Sequence, residues 1–421
     1  GDGLVDLLVG SSRSNTGGTF AGAVYLYRGI ADGFFEEEPS QYWSGDNGYD
    51  YFGFSLTLCD FNGDGGLDLA VGAYHGEDRD ADPVVSSQGV VHLFLNTGAG
   101  ISIAPSMKLF GQGLQEDGSW MPQAVQLGYT MTSGDLDGDG LCDLAVNAAR
   151  PKGDTSDDGA VFIYKGTAPE GFSKGGVSKL PVKAIFTDSL GDWFGREMAS
   201  GDVDGDGMDD LFVAESYSDE ITGGYAGSVY GFYGAPLPDT FEEAMSTDDA
   251  EWMIFGLTGG NYLGQSLNSG DVNGDGVADV LVGVRQGEIV GNPSNTGSLK
   301  VFHGVQDGVL KLVPDLQVAG EFNGNWFGAA AAALGDVDGD GIQDIFVHAS
   351  RHSAYGYLTG LPYMMSDLEE GVSLLPLELP AEAAGQRFGY DVAVFERPGE
   401  EPTFIVGAPY HDTPTTFNEG A

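Results

Sequence analysis

The sequence predicts an all-β chain built as a seven-bladed β-propeller, each blade a four-stranded antiparallel meander. Three observations carry that expectation. An acidic loop recurs along the 421 residues with a period of about 55 to 75 residues, and internal repeats of that size fix architecture before any local pattern does. The same apolar and alternating stretches follow each copy in the same order. Glycine supplies 69 residues, about twice its average share, and no collagen period or Gly/Ser block accounts for it, so many turns between short strands are implied. A single four-stranded sheet leaves two faces uncovered, whereas sheets packed radially bury them against their neighbours, which is the propeller solution.

Taken in order, the repeats occupy residues 1–51, 52–126, 127–193, 194–262, 263–326, 327–387 and 388–421 of a single domain covering 1–421. From the second onward each opens on Phe-Gly or Leu-Gly: Phe52-Gly53, Leu127-Gly128, Phe194-Gly195, Leu263-Gly264, Phe327-Gly328 and Phe388-Gly389. Next comes the acidic loop, complete in five copies: DFNGDGGLD from Asp60, DLDGDGLCD from Asp135, DVDGDGMDD from Asp202, DVNGDGVAD from Asp271 and DVDGDGIQD from Asp336. GDGLVD at the start matches the second half of the loop, and DVAVFERPGEE around Asp391 is a copy that has lost the carboxylates. Apolar runs such as LAVGA, LFVAE and FIVGAP then read as short buried strands. About 10 to 20 residues later, Gly and an alternating stretch, as in GAVYLY, GAVFIY and GSLKVF, have the period of half-buried strands. SMKLF, VKAIF, EWMIF and DLQV are the clearest copies of a weaker fourth strand. The first repeat lacks its first strand, and the last stops where its third would begin. Seven blades are therefore expected to close with strands from sequence before Gly1 or after Ala421, a six-bladed ring with a composite blade being the alternative.

The loop has the chemistry of a hard-cation site. In the copy that begins at Asp135, Asp137 and Asp139 fall at positions 3 and 5, Gly140 at 6, the Leu141 carbonyl at 7 and Asp143 at 9, so oxygens gather around one point. The other candidate ligand sets keep that spacing: Asp60, Asn62, Asp64, Gly66 and Asp68; Asp202, Asp204, Asp206, Met208 and Asp210; Asp271, Asn273, Asp275, Val277 and Asp279; Asp336, Asp338, Asp340, Ile342 and Asp344. The half-loop offers Asp2, Leu4 and Asp6. Without an ion, such a loop crowds up to four carboxylates together, a repulsion that a cation removes. Calcium, with six or seven oxygens at about 2.3–2.6 Å, suits it better than magnesium, which prefers a tight octahedron that retains waters. Ca2+ is thus expected in five complete loops, and in a sixth if the half-loop is completed by sequence outside the chain. An EF-hand is excluded at position 12, where its bidentate Glu is replaced by Val71, Val146, Val213, Val282 and Val347, with Val9 in the half-copy. A β-branched apolar residue there belongs to a buried strand.

Phe-Gly, the DxDGDGxxD loop and Val-Gly-Ala-Pro together resemble the FG-GAP repeat of integrin α-subunit propellers, over nearly the whole chain. The resemblance implies a seven-bladed propeller with calcium in the hairpins between first and second strands, on the face opposite the ligand site. It further implies an extracellular or cell-surface location and a module for adhesion or for binding a protein or glycan. FG-GAP propellers also occur in bacterial surface proteins and beside enzyme domains, so a structural subunit of a surface appendage and an accessory domain of a secreted enzyme are the alternatives. The departures are Leu127 and Leu263 in place of Phe, Pro409 as the one surviving Pro of the motif, and the seventh loop. Just before the Phe-Gly or Leu-Gly pairs stand Tyr51, Trp193, Tyr262 and Trp326. Integrin-like propellers place aromatics similarly around the mouth, so these four are the candidate ligand residues, holding a partner's cationic group by cation–π contact in a negative field. The alternative is that they only wedge neighbouring blades together.

Composition sets the outer limits. At 41% hydrophobic residues the chain can build a sizeable core. Its 64 acids against 17 Lys and Arg give a net charge of -47, a field that repels nucleic acid and anionic lipid. No run of 18 apolar residues exists, so no membrane insertion is expected, and no signal peptide is visible. Because Gly1 falls inside a motif, sequence upstream of it is expected. Cys59 and Cys142 cannot make a disulfide framework or a zinc site unaided. Cys59 stands where other repeats have Gly134, Gly201, Gly270 and Gly335, so it reads as a small buried residue or as the partner of Cys142 in the next repeat. No GxSxG, HExxH or Walker motif is present, and His75, His352 and His411 lie in three different repeats, so the chain is not expected to be an enzyme.

Overall fold

A computed structural model of the chain describes residues 4–351, apart from 32–34, 82, 99, 116, 151–157, 168–179, 188–191, 219–223, 243, 288–294, 323, 334 and 338–339, together with the strands Leu361–Ser366, Ser373–Pro376, Val392–Phe395 and Thr403–Val406. Its described secondary structure is all β save one 3₁₀ turn, Thr247–Asp249. The sheets follow one another in chain order. The first has three strands, Leu7–Ser11, Ala23–Tyr27 and Gln41–Ser44. In the second, Ser55–Cys59, Asp68–Ala73, Val90–Phe94 and Met107–Phe110 form the expected four-stranded meander. The third repeats it with Leu127–Gly134, Asp143–Ala148, Ala160–Tyr164 and Lys183–Phe186. Met198–Gly201, Asp210–Glu215, Ser228–Phe232 and Trp252–Phe255 make the fourth, and Leu263–Gly270, Asp279–Val284, Ser298–Phe302 and Leu316–Ala319 the fifth. The sixth joins Phe327–Ala333, Ile345–Ala349, Leu361–Ser366 and Ser373–Pro376, and Val392–Phe395 pairs with Thr403–Val406 in the seventh repeat.

Two elements go beyond the sequence reading. Ala244–Ser246 adds a parallel edge strand to the third sheet, and Gln112–Leu114 with Trp120–Pro122 forms a hairpin between the fourth strand of the second repeat and Leu127. Phe388-Gly389, the seventh loop at Asp391, His352 and His411 lie outside the described residues.

The second strand of the repeat is buried along its whole length in the second to sixth sheets. Such a strand, covered on both faces, reads as a continuous apolar run. Val71, Val146, Val213, Val282 and Val347 are each 0% exposed, which is why position 12 holds Val and not Glu. Val9 differs, at 39% exposed. Its strand is the edge of a sheet whose first strand is lacking, so among the described residues nothing pairs its outer side.

The glycines of the motif mark where one repeat meets the next. Gly22, Gly89, Gly159, Gly227 and Gly297, at the start of third strands, have φ between 78° and 85°. A Cβ on them would strike the main chain of Phe52, Leu127, Phe194, Leu263 and Phe327 respectively. Each of those residues donates its N–H, at 2.9–3.2 Å, to the carbonyl just before that glycine. The Phe or Leu side chain is then buried, so the Phe-Gly pair is the latch between consecutive repeats.

The chain divides into two compact units, Gly1–Met198 with Gly234–Asp249, and Ala199–Tyr233 with Ala250–Ala421. In the first, Val24, Trp43, Phe52 and Val71 form one core cluster, and Leu93, Leu127, Val146 and Phe162 another. In the second, Phe212, Leu263 and Val282 anchor one cluster, and Leu299, Phe327 and Val347 another.

Candidate metal loops and aromatic surface

The five acidic loops share one hydrogen-bond plan, set by Asp-Gly chemistry: Asp bonds its own downstream amides, and Gly takes the left-handed turns. The Asp at position 1 accepts the N–H of position 6 at 2.8–2.9 Å in all five, from Gly65, Gly140, Gly207, Gly276 and Gly341. The Asp at position 5 accepts the N–H of position 7 at 2.8–3.0 Å, from Gly66, Leu141, Met208, Val277 and Ile342. Asn62, Asp137, Asp204 and Asn273 accept the N–H of position 5. Position 9 closes the hairpin: Asp68, Asp143, Asp210, Asp279 and Asp344 are buried and accept the N–H of position 2. The other oxygen of Asp68, Asp143 and Asp279 accepts an amide after the third strand, from Asn96, Gly166 and Gly304. Asp6 of the half-loop accepts the matching bond from Gly29 at 3.0 Å, and Leu4 beside it is exposed. Asp2 and Asp338 lie outside the described residues.

The donor set suits a divalent cation. Carboxylate oxygens of Asp135, Asp137 and Asp143 come within 4.8 Å of one another, as do those of Asp202, Asp204 and Asp210. Burial pushes Asp143 up to about 8, with Asp137 and Asp139 adding to the push. Burial likewise holds Asp68 and Asp279 at about 6, and raises Asp204. Each pocket of negative charge is thus costly without a counter-ion. In one loop the chain supplies its own: Lys165 Nζ bonds Asp137 and lies 3.1 Å from Asp139 Oδ2. Sequence reading missed this lysine, whose only signal is its place just before Gly166.

Cys59 and Cys142 form a disulfide, with Cα atoms 6.0 Å apart. It settles the two sequence readings in favour of pairing: the sulfurs link the end of one first strand to the ninth-position hairpin of the next repeat. Cys142 N–H also donates to Asp60 O at 3.1 Å, so neighbouring loops are tied twice.

At the other end of the sheets stand the predicted aromatics. Tyr51, Trp193, Tyr262 and Trp326 all have left-handed backbones, φ 54° to 62°, and Gln126 completes the series at 56°. Non-Gly residues hold that conformation only where their surroundings over-determine it. Tyr51 and Trp193 belong to one unit, Tyr262 and Trp326 to the other. Tyr51 stacks on Tyr74 at 5.4 Å and meets the His75 ring edge-on. The remaining three carry arginines of the chain itself. Arg196 lies over Trp193 at 4.3 Å; Arg285 is 4.2 Å from Tyr262 and 4.5 Å from Trp326; Arg351 is 3.4 Å from Trp326. With Tyr225 stacked on Tyr262, the second unit holds a ladder Tyr225, Tyr262, Arg285, Trp326, Arg351. Of the four rings expected to receive a partner's cation, Trp193, Tyr262 and Trp326 lie against guanidinium groups of the chain itself.

A family model described as FG-GAP-like repeat matches residues 1–71 and 271–347, and one described as FG-GAP repeat matches 52–94, 127–164 and 194–232. Integrin alpha-PS2 of Drosophila melanogaster is 31% identical over 234 residues, 53% of this chain and 15% of that one. Integrin alpha-5 of Xenopus laevis is 33% identical over 180 residues, 41% of this chain and 15% of that one. Phosphatidylinositol-glycan-specific phospholipase D of Bos taurus is 26% identical over 383 residues, 83% of this chain and 41% of that one. The matched stretch is a minor part of each relative.

Proposed function

The chain belongs to the FG-GAP repeat family, and from that premise we propose that it is a calcium-stabilised β-propeller of the cell exterior that binds a protein or glycan ligand on the face opposite its acidic hairpins. The observation that carries the proposal is the common hydrogen-bond plan of the five loops, with carboxylate oxygens of positions 1, 3 and 9 within 4.8 Å of one another in the loops that begin at Asp135 and Asp202. Successive four-stranded sheets latched by Phe-Gly support a seven-bladed ring over 1–421. The integrin α relatives support ligand binding and an adhesive role. The Cys59–Cys142 bridge supports an oxidising, extracellular setting, where disulfides persist and calcium is abundant. Among the described residues no helix is long and apolar enough to cross a membrane.

A second reading is a propeller that serves a catalytic domain in a secreted enzyme. The match to the phospholipase, which runs over 83% of this chain, favours it. In both readings the ions hold hairpins and take no part in chemistry.

The test is metal analysis with calorimetry. Calcium-equilibrated protein is expected to hold five or six Ca2+ per chain, to lose melting temperature when chelated, and to recover it with calcium but not with magnesium. Empty sites at millimolar calcium, or an unchanged melting curve, would refute the proposal.

A further inference from the structure

Arg285 directly follows the strand Asp279–Val284 and lies, with the rings that meet it, in the second unit. Two rings clamp its guanidinium: the Tyr262 centroid is 4.2 Å from Cζ and the Trp326 centroid 4.5 Å. Both rings are aimed by left-handed backbones, φ 54° and 57°, and Tyr225, itself at 65°, stacks on Tyr262 at 5.9 Å. The turn beneath is pinned by Gln286 N–H to Asn261 O at 3.2 Å and by Gly287 N–H to Val284 O at 3.0 Å. The side chain is thus placed before any partner arrives.

The clamp covers the faces of the guanidinium and leaves its edge. Among the described residues no carboxylate and no hydrogen-bond acceptor meets that edge, and Nε is buried without a partner. The side chain as a whole is half-buried, so the terminal nitrogens are the donors that remain for a ligand. The repeats that meet at Arg285 also lack acids at the places where the third repeat has them. Asp158 is matched there by Ala226 and Thr296, and Asp192 by Asn261 and Asn325.

We propose that Arg285 is an anion-binding residue whose guanidinium edge takes the carboxylate of one aspartate or glutamate side chain presented by a protein partner, with Tyr225, Tyr262 and Trp326 as its walls. The inference rests on the ligand-binding reading above and names the chemistry of one contact. A guanidinium stacked between rings meets a carboxylate in its own plane, through two parallel bonds from the terminal nitrogens. Because the rings already fix the fork, less side-chain freedom is lost on binding. Charge decides the source. A sulfated or uronate-rich glycan would lay many charges along a chain of net charge -47 and be repelled. A lone carboxylate on a neutral or basic protein surface answers mainly to groups within the Debye length, about 8 Å at physiological salt, and the guanidinium is the group it touches.

An NMR titration of the calcium-loaded chain with N-acetyl-glutamate methylamide tests this, with the glutamine analogue and a sulfated disaccharide in parallel. The glutamate compound is expected to bind at millimolar levels and shift the Trp326 indole signal, the glutamine compound to be inert and the disaccharide to bind more weakly. Arg285→Gln should weaken glutamate binding about tenfold, and Arg285→Lys, which keeps the charge but not the fork, by less. Melting curves of the same samples separate binding from folding. If Arg285→Gln does not fold, Arg285→Lys and the glutamine compound decide. The proposal is overturned if the glutamate compound does not bind, if folded variants bind it unchanged, if the glutamine compound binds as well, or if the disaccharide binds better. A parent chain stabilised by calcium that ignores the glutamate compound overturns this site alone; one that binds it with no calcium response overturns the loop reading alone.

Discussion

Replacing both cysteines, Cys59→Ala with Cys142→Ala, removes the bridge without leaving a lone thiol. The bridge spans 83 residues of sequence. Cross-linking a loop of that length removes about 4.5 kcal/mol of denatured-state entropy at 25 °C in the chain-entropy model. Native contacts at the site soften the loss little, because the Cys142–Asp60 and Thr167–Phe61 backbone bonds stay in place, so the effect falls on the unfolded chain. For a unit of roughly 200 residues, each kcal/mol moves the melting point by about 2–4 °C, which predicts a fall of about 10–15 °C. Scanning calorimetry at saturating calcium reads it, with a thiol count on the denatured parent as control. A fall below about 3 °C, smaller than any native 80-residue bridge should give, would refute the reasoning. So would two reactive thiols in parent protein recovered from an oxidising compartment.

Two further predictions concern the loops. In the chelated chain, stability should fall as pH rises from about 5 to 8. Asp68, Asp143 and Asp279 have folded pKa values raised above the unfolded carboxylate, to about 6, 8 and 6, so the folded state keeps protons that the unfolded state releases. Their contribution is complete below the unfolded value near 4 and is lost through those folded values. Calcium, which binds the ionised form, should reverse the trend, and a chelated melting temperature that climbs with pH would count against it. Lys165→Met should tighten calcium at the loop 135–143 by about tenfold, since the tethered ammonium competes for Asp137 and Asp139, and should lower the calcium-free melting temperature. Isothermal titration checks the first; unchanged or weaker affinity would mean that Lys165 does not share the ion's place.

Period, strand order and the hairpin spacing of the acidic loop were legible because each is a local rule repeated. Gly140 and its counterparts turn the loop, and Val146 and its counterparts must be buried. Phe52, Leu127 and their counterparts press their main chain on a glycine of the neighbouring third strand where an added Cβ would strike it. What escaped reading depends on contacts between repeats. The side chain of Lys165 folds back onto a loop more than 20 residues earlier, a reach that leaves no period. Cys59 and Cys142 are two residues with no spacing rule, so only their meeting in space decides. Arg285 directly follows its second strand and Arg351 stands one residue further past its own, which hides the pair from alignment. The arginines against the aromatic rings were not read for that reason, and because Arg196 comes from the turn just after Phe194-Gly195 and not from a strand end.

The third sheet joins the acidic loop to the aromatic end. Asp143 begins its second strand and Ala148 ends it. Six residues at about 3.4 Å each put roughly 20 Å between the two ends, more than two Debye lengths at physiological salt. The charge of an ion bound in the loop would therefore be screened at the aromatic end. Every residue of Asp143–Ala148 is buried, and Asn147 on it donates both to Ala160 O and to Phe194 O, next to Trp193. Holding the hairpin holds that strand, and the strand holds the floor on which Trp193 and Arg196 stand. Calcium bound in that hairpin, as proposed, would act on a ligand at the other end of the sheet through mechanical order: affinity and melting temperature should decline together on chelation. A chain that stayed folded by calorimetry while it lost ligand affinity would show that the coupling runs through charge and not through this strand.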